Sequence, residues 1–283
     1  MEIKFEHVDF AYQKVNCNKN EVFKDLNITF KEGKLYGIVG SSGSGKTTLL
    51  ELIDGLIIPT NGQIKIGDFT LSSDIKKSNV NEIRSNIGIV FQNAESQFFN
   101  NTVYDEIAFS LVYHNYHIDE INKRVRDVIK MVGLNEFDLS KNPLQLSKGE
   151  KRKLAIAIAL VHNPKILLLD EPTVGLDGNS KDSLIKLLRL LKNRYNKTII
   201  LSTHDTDFLH SIVDYVYVLN NKGIVLEGSK YDVFKETKKL KKYGVKSPKV
   251  IEFSNKVLDK KKIKIGYRDD INDLIKDIYR YVK

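Results

Sequence analysis

The chain has 283 residues, a hydrophobic fraction of 41% and a lysine-rich net charge of +9, which suit one large domain or a domain with an appendage. No apolar run approaches the roughly 18 residues of a membrane-spanning helix, and the N-terminal segment predicts no signal peptide. The single cysteine, Cys17, excludes an internal disulfide framework and fits a reducing cytoplasm. The positive charge leaves three interpretations open: a nucleic-acid partner, the anionic inner face of a membrane, or a solvated lysine-rich surface.

The N-terminal segment predicts two strands. An interrupted apolar alternation indicates the first of them at Ile3, Phe5, Val8 and Phe10. Tyr12 follows in a predicted loop, where its ring can stack on a nucleobase, although a surface tyrosine is the commoner interpretation. The second strand is predicted over Leu26 to Phe30.

A phosphate-binding loop is predicted between Gly40 and Thr47, which read G-S-S-G-S-G-K-T. Glycines let the backbone bring N–H groups close to a phosphate. A predicted strand, Leu35 to Val39, precedes the loop, and a predicted helix follows it, so that the helix N-terminus points at the anion. A chance glycine-rich turn is the alternative, and these flanks disfavour it. Lys46 can place its charge on the β- and γ-phosphates, and the Thr47 hydroxyl can bind Mg²⁺. The expected nucleotide contacts are Gly40, Ser41, Ser42, Gly43, Ser44, Gly45, Lys46, Thr47 and Thr48.

The middle of the chain changes from strands to helices. Strands are predicted over Gln63 to Gly67 and over Ile87 to Phe91, the latter ending on Gln92. From there to about Pro164 the pattern indicates a helical insertion, with helical spacing between Asp119 and Gly133. Ser147 and Glu150 then form a capping-box pattern at the start of a helix that ends near His162.

Two acidic residues follow the next apolar strand, Ile166 to Leu169. The carboxyl edge of an open parallel sheet is where ligands bind, so Asp170 is expected to hold Mg²⁺ and Glu171 to deprotonate a water. Two acids at a strand end also occur in ordinary turns, and the phosphate loop is what favours the functional interpretation.

A helix is predicted over Ser183 to Arg194. His204 follows the strand Thr198 to Ser202 and is placed to contact a γ-phosphate, whereas the other histidines are expected on the surface: His7, His114, His117, His162 and His210.

The C-terminal part begins with a predicted hairpin, Tyr215 to Leu219 and Gly223 to Glu227. Beyond Gly228 the composition becomes lysine-rich, but apolar residues recur, which favours a small folded domain over a disordered tail. Three helices are predicted there: Tyr231 to Tyr243, Lys249 to Leu258 and Asp270 to Tyr281.

The order of these motifs resembles the nucleotide-binding subunits of ABC transporters over about residues 1–237. In that family Tyr12 corresponds to the adenine-stacking aromatic residue, Gly40 to Thr47 to Walker A, Gln92 to the Q-loop, and Leu146 to Glu150 to the signature. The remaining correspondences are Asp170 and Glu171 with Walker B, Leu176 and Asp177 with the D-loop, and His204 with the H-loop.

Within the family, three features resemble ATPases of the energy-coupling factor type, which energise uptake of vitamins or of cobalt and nickel. Phe91 to Phe99 is similar to their extended Q-loop, Glu171 to Asp177 is similar to their E-P-T-A-G-L-D, and a C-terminal appendage also occurs in them. Two residues depart from the family pattern. Lys148 replaces the first glycine of the signature, and Ala94 replaces the usual proline.

The resemblance implies an α/β P-loop NTPase fold, with a RecA-like core, an antiparallel β subdomain, a helical subdomain at about 93–164 and a small basic domain at 238–283 that helps subunits to pair. It also implies ATP and Mg²⁺ as cofactors, with Thr47, Gln92 and Asp170 around the metal. Each ATP is then sandwiched between two subunits, with Ser147, Gly149 and Asp177 acting from across the dimer.

The implied protein is a peripheral ATPase on the cytoplasmic face of the cell membrane. It is expected to pair with itself or with a sibling ATPase and to bind a transmembrane coupling subunit and a substrate-binding membrane subunit, with no nucleic acid. Two alternatives stay open: an ATPase of another ABC importer or exporter, and a non-transport ABC ATPase that acts on nucleic acid or ribosomes.

Overall fold

A computed structural model describes residues 1–13, 19–74, 77–261, 275, 276 and 279. Cys17 and most of the predicted helix Asp270 to Tyr281 lie outside these residues. In chain order, the elements of the described part are β1 (Ile3–Gln13), β2 (Lys19–Phe30), β3 (Leu35–Gly40), α1 (Lys46–Asp54), β4 (Asn61–Ile66), β5 (Phe69–Leu71), α2 (Lys77–Ser85), β6 (Ile87–Val90), α3 (Val103–Tyr113), α4 (Ile118–Val132), α5 (Lys148–Leu160), β7 (Ile166–Asp170), α6 (Gly178–Tyr195), β8 (Thr198–Ser202), α7 (Thr206–Ile212), β9 (Tyr215–Asn220), β10 (Gly223–Ser229), α8 (Lys230–Phe234), α9 (Thr237–Lys242) and α10 (Lys249–Lys261).

The strands form two sheets. One has four antiparallel strands in the order β2-β1-β4-β5, and the other has six strands in the order β10-β9-β3-β8-β7-β6. In the larger sheet β9, β3, β8, β7 and β6 run parallel, and β10 closes the edge as an antiparallel hairpin with β9. Because parallel strands share one carboxyl edge, the residues that follow β3, β6, β7 and β8 come together there.

The central strands are buried on both faces, which explains their continuous apolar runs. In β7, Ile166 and Leu168 pack into the cluster beneath the antiparallel sheet, while Leu167 and Leu169 pack into the cluster under the helices. The predicted α/β architecture, with an antiparallel β part and helices inserted after β6, is confirmed.

The helical insertion contains α3, α4 and α5 with three 3₁₀ turns, Ala94–Gln97, Glu136–Ser140 and Pro143–Gln145. The predicted apolar stripe of α4 is buried, at Ile121, Val125, Val128 and Val132. Among the described residues, no helix is both long and apolar enough to cross a bilayer.

The prediction that Tyr12 lies in a loop is wrong, because Tyr12 belongs to β1 and pairs with Asn20. Register shifts occur between Phe5 and Val8 and again on either side of Phe10. These irregularities interrupt the apolar alternation while the hydrogen-bonded ladder continues. Strand β2 accordingly begins at Lys19, well before the predicted Leu26.

The predicted helix from Tyr231 to Tyr243 is two helices, α8 and α9, interrupted at Lys235 and Glu236. Phe234 and Leu240 are both fully buried. Six residues apart on one helix, they would point about 120° away from each other, so the break lets both side chains reach the core. Leu240 joins the same apolar cluster as Val216 of β9.

Two of the histidines that were predicted on the surface do not lie there. His210 of α7 is only 2% exposed and packs against the rings of Tyr231 and Phe234. His162 is half-buried, and its Nε2 lies 3.0 Å from Ser110 Oγ. The position of a histidine in the sequence therefore does not predict whether its side chain is buried or exposed.

Asp54, at the end of α1, should make stability depend on pH. Burial raises the pKa of Asp54 to about 7, against the opposing effect of Arg84, so the folded state binds more protons than the unfolded state between about pH 4 and 7. Stability therefore falls as pH rises through this window and stays lower above it. We expect Asp54→Asn to be about 1–3 kcal/mol more stable than wild type at pH 8 and nearly equal at pH 4.5, measured by denaturant unfolding at both values. An equal gain at both pH values would contradict the assignment.

Candidate nucleotide-binding site

Between the end of β3 and the start of α1, two positions require glycine, one for its backbone conformation and one for lack of space. Gly45 has φ of +98°, directly before α1. A side chain at Gly40 would place its Cβ 2.4 Å from Leu219 O and 2.5 Å from Ser44 Oγ. Ser44 Oγ is buried and has no hydrogen-bond partner in the described part of the chain. An unpaired donor inside such a loop fits a cradle for phosphate oxygens.

Lys46 lies in this cradle, and its side chain is bent back over the loop. Its Nζ donates to Gly40 O at 3.1 Å and to Ser41 O at 3.2 Å. Burial lowers the pKa of Lys46, while the carboxylates of Glu171 and Asp170 oppose that shift. The ammonium group is thus held beside the positions that phosphates would take.

Asp170 connects the loop to the neighbouring strands. Its Oδ2 accepts a hydrogen bond from Thr47 Oγ1 at 2.7 Å, and its Oδ1 accepts a short one from Ser202 Oγ. Asp170 is 3% exposed and lies opposite Ser202 in the ladder between β7 and β8. A carboxylate beside a threonine hydroxyl is an oxygen donor set that suits Mg²⁺, so these two residues fit the predicted metal.

Glu171 follows directly, in a backbone conformation that non-glycine residues rarely adopt. Its φ is +47°, and its N–H donates to Ser202 O at 2.9 Å, which fixes this turn. Non-glycine residues at positive φ persist where the surrounding structure over-determines them, often at functional sites. This turn follows directly on β7, which ends at Asp170.

His204 faces that carboxylate. The His204 N–H donates to Glu171 Oε2 at 3.3 Å, and His204 Nε2 lies 3.3 Å from Glu171 Oε1. Glu171 is 8% exposed, and its Oε1 makes no hydrogen bond with any described residue. A buried carboxylate oxygen that is not engaged in a hydrogen bond can accept a proton from a water placed against it.

Tyr12 lies against the first turns of α1. Its hydroxyl is 3.2 Å from Thr48 Oγ1 and donates to Glu51 Oε2 at 3.0 Å. The edge-to-face contact with Phe10 holds one side of the ring, and 38% of the residue is exposed. The ring is therefore fixed beside the phosphate loop with surface left for stacking.

Gln92 lies exposed after β6, at the same edge of the sheet, and its side chain makes no hydrogen bond within the described ranges. Asn93 follows with φ of +60° and begins the 3₁₀ turn Ala94–Gln97. The structure thus brings Gln92 to the correct edge but not into contact with Asp170 or Glu171.

Ser147 and Gly149 begin α5, and the predicted capping box is confirmed. Ser147 Oγ accepts from the Glu150 N–H at 3.3 Å, and Glu150 Oε2 accepts from the Ser147 N–H at 2.8 Å. A Cβ at Gly149 would lie 2.6 Å from Ser180 Oγ. Asp177 caps α6 by accepting from the Ser180 N–H at 2.8 Å.

These signature residues are separate from the phosphate loop. No hydrogen bond between described residues links Ser147, Gly149 or Asp177 to it. Lys148 is the first residue of α5 and has no positive φ, so its side chain causes no backbone strain there. Within the described part of the chain, the signature residues and the phosphate loop are therefore two separate groups.

Sequence reasoning missed two hydroxyl contacts around the acidic residues, one of which holds Asp170 directly. Ser202, predicted only as a strand end, binds Asp170, and Thr203 Oγ1 lies 3.1 Å from Thr173 Oγ1 in the buried interior. The available signal was positional, since Asp170 and Ser202 pair at the ends of the adjacent parallel strands β7 and β8, and Thr173 and Thr203 follow these ends.

The sequence of this chain is similar to those of known proteins. A family model described as ABC transporter matches residues 23–174. The energy-coupling factor transporter ATP-binding protein EcfA2 of Enterococcus faecalis is 37% identical over 260 residues, which cover 92% of this chain and 90% of that protein. EcfA3 of Oenococcus oeni is 38% identical, covering 91% and 89%.

Two solved structures have the same fold. The structure of cbiO1 from Clostridium perfringens, part of the ABC transporter complex cbiONQ, has a TM-score of 0.76 at 32% identity and covers 89% of this chain and 98% of that chain. A dimeric post-hydrolysis structure of the ATP-binding cassette MJ0796, bound to ADP and Pi, has a TM-score of 0.72 at 30% identity, covering 81% and 98%.

Proposed function

This chain belongs to the ABC transporter family of ATP-binding proteins, and from that membership we propose that it is the ATP-hydrolysing subunit of an energy-coupling factor transporter that takes up a micronutrient, a vitamin or a transition-metal ion. The observation that carries the proposal is the buried Glu171 carboxylate facing His204, next to the Thr47–Asp170 pair and the phosphate loop. Relatives named as energy-coupling factor ATPases match more than nine-tenths of the chain.

In the proposed reaction, the loop N–H groups and Lys46 bind the β- and γ-phosphates. Thr47 and Asp170 would hold Mg²⁺, with Gln92 approaching from its exposed position after β6, and the ion would neutralise charge that develops on the phosphate oxygens. Glu171 takes a proton from the attacking water.

The neighbours of these groups have supporting roles. His204 orients the Glu171 carboxylate and contacts the γ-phosphate end of the site. Tyr12 stacks on the adenine, and Thr48 fixes the tyrosine hydroxyl.

Hydrolysis is proposed to need a second subunit. Ser147 and Gly149 lie at a helix N-terminus that attracts anions, but they have no link to the phosphate loop of their own chain. They and Asp177 would therefore complete the nucleotide site of a partner, which is a second copy of this chain or a sibling ATPase.

We assign residues 1–237 to the nucleotide-binding domain, with its helical part at about 93–164, and residues 238–283 to a basic domain that supports pairing.

An exposed apolar surface on the helical part suits a membrane subunit. Phe99 and Phe109 contact each other edge to face at 4.8 Å between ring centroids, although they are 66% and 49% exposed. Val112 and Tyr113 extend this surface along α3, beside a groove of about 1010 Å³ between α3, α5 and β6. Contiguous exposed apolar residues mark interaction sites, so this surface would dock the coupling subunit at the cytoplasmic face of the membrane.

The proposal is tested by purifying the tagged chain from its native cells in mild detergent. We expect an integral membrane subunit to co-purify, and Phe109→Asp to reduce its recovery at least about 10-fold, because a charge in an apolar contact is left desolvated. Nucleotide binding should not change. Phe137→Asp is the matched control, since Phe137 is an exposed aromatic residue outside this surface. Recovery of ribosomes or DNA in place of a membrane subunit would contradict the proposal.

A further inference from the structure

Arg152 is a buried cation with unsatisfied donors. It lies on α5, the helix that begins with the signature residues, and it is 3% exposed. Its Nε and Nη1 have no hydrogen-bond partner among the described residues. Burial lowers the pKa of the Arg152 guanidinium, against the effect of Glu95, but the group stays charged at neutral pH. Buried charges are normally paired and hydrogen-bonded. The guanidinium of Arg152 therefore has fewer hydrogen bonds than a buried cation normally makes.

The charged neighbour of Arg152 is Glu95, in the turn that follows Gln92. Glu95 Oε2 lies 3.8 Å from Arg152 Nη2, which is ion-pair range but too long for a hydrogen bond. The Glu95 side chain is 32% exposed and belongs to a short 3₁₀ turn, Ala94–Gln97. A small shift of this turn would let the carboxylate engage the planar donors of the guanidinium in a bidentate pair.

We propose that Glu95 and Arg152 are a positioning pair that couples the turn after Gln92 to the orientation of α5. The proposal rests on the proposed function, because it concerns the ATP sandwich between two subunits. When Glu95 closes onto Arg152, the start of α5 is held so that Ser147 and Gly149 meet the nucleotide of the partner subunit. Movement of the turn, whether it starts at Gln92 or at the docked membrane subunit, thereby reaches the signature helix.

The test uses the full chain carrying Glu171→Gln, in which an ATP-bound dimer is not consumed by hydrolysis. Glu95→Gln, Arg152→Lys and the double variant are compared in this background. Binding of a fluorescent ATP analogue is titrated at low protein concentration, and ATP-driven dimerisation is measured by sedimentation velocity. Lys151→Gln, on the same helix, is the matched control for loss of a positive charge.

Each single variant is expected to weaken ATP-driven dimerisation at least about 10-fold, as loss of charged hydrogen bonds does, while nucleotide affinity changes less than about 2-fold. Arg152→Lys is included because it keeps the charge but loses the bidentate geometry. The double variant should be no weaker than the weaker single, since interacting residues are not additive. Lys151→Gln should dimerise normally.

The proposed pair would be contradicted if Glu95→Gln dimerised normally, or if the effects of the two single variants added fully in the double variant. Either result would leave the proposed function unaffected. The sedimentation measurement is made on the chain alone and on the chain mixed with a sibling ATPase. A reference chain that binds the ATP analogue but dimerises in neither case would overturn the sandwich and this inference with it. Should Arg152→Lys fail to fold, Glu95→Gln still decides, because Glu95 is partly exposed and its loss creates no cavity.

Discussion

The Glu171→Gln variant is expected to bind ATP with wild-type affinity and to hydrolyse it at least about 100-fold more slowly. An amide cannot take a proton from the attacking water, but it keeps the size and shape of the carboxylate. Among the described residues, Glu171 makes no hydrogen bond to the phosphate loop, and its hydrogen-bonding partners are Ser202 and His204. Nucleotide affinity should therefore be spared while steady-state phosphate release falls, and an ATP-bound dimer should accumulate.

Glu82→Gln provides the matched control, because Glu82 is an exposed glutamate on α2, away from the nucleotide site. It should hydrolyse ATP at the wild-type rate. Wild-type phosphate release by Glu171→Gln would remove Glu171 as the general base. A loss of ATP affinity in that variant would show instead that the carboxylate helps to bind the nucleotide.

The central strands of the larger sheet, β3, β7 and β8, were predictable from sequence because each is a short apolar run buried on both faces. The run Ile166 to Leu169 needs no tertiary information to be identified as a strand, and the structure extends it by one residue, Asp170. Tyr12 was predicted in a loop although it lies in a strand. Its strand contains register shifts that interrupt the alternation, and the pairing that continues through them depends on β2, which sequence spacing does not reveal.

The candidate site was predictable only in part, for a similar reason. Motif spacing identified Lys46, Asp170 and Glu171, since their roles follow from their residue types beside a phosphate loop. The spacing gave no sign that Asp170 is held by Ser202 or that Arg152 faces Glu95. Those contacts join segments that are far apart in the chain, and only the parallel register and the packing of α5 bring them together.

Lys46→Ala should lower ATP affinity at least about 100-fold, since it removes the cation that the loop holds for the phosphates. Among the described residues, the Nζ of Lys46 donates only to two carbonyls, those of Gly40 and Ser41. Because these contacts join residues that are close in the chain, the melting temperature should change little. Titration with a fluorescent ATP analogue measures the effect. Lys34→Ala is the matched control, because Lys34 is an exposed lysine just before β3, at the opposite end of the strand from the loop, and its loss should leave affinity unchanged. Equal losses in the two variants would mean that the net positive charge, rather than the placement of Lys46 in the cradle, attracts the nucleotide.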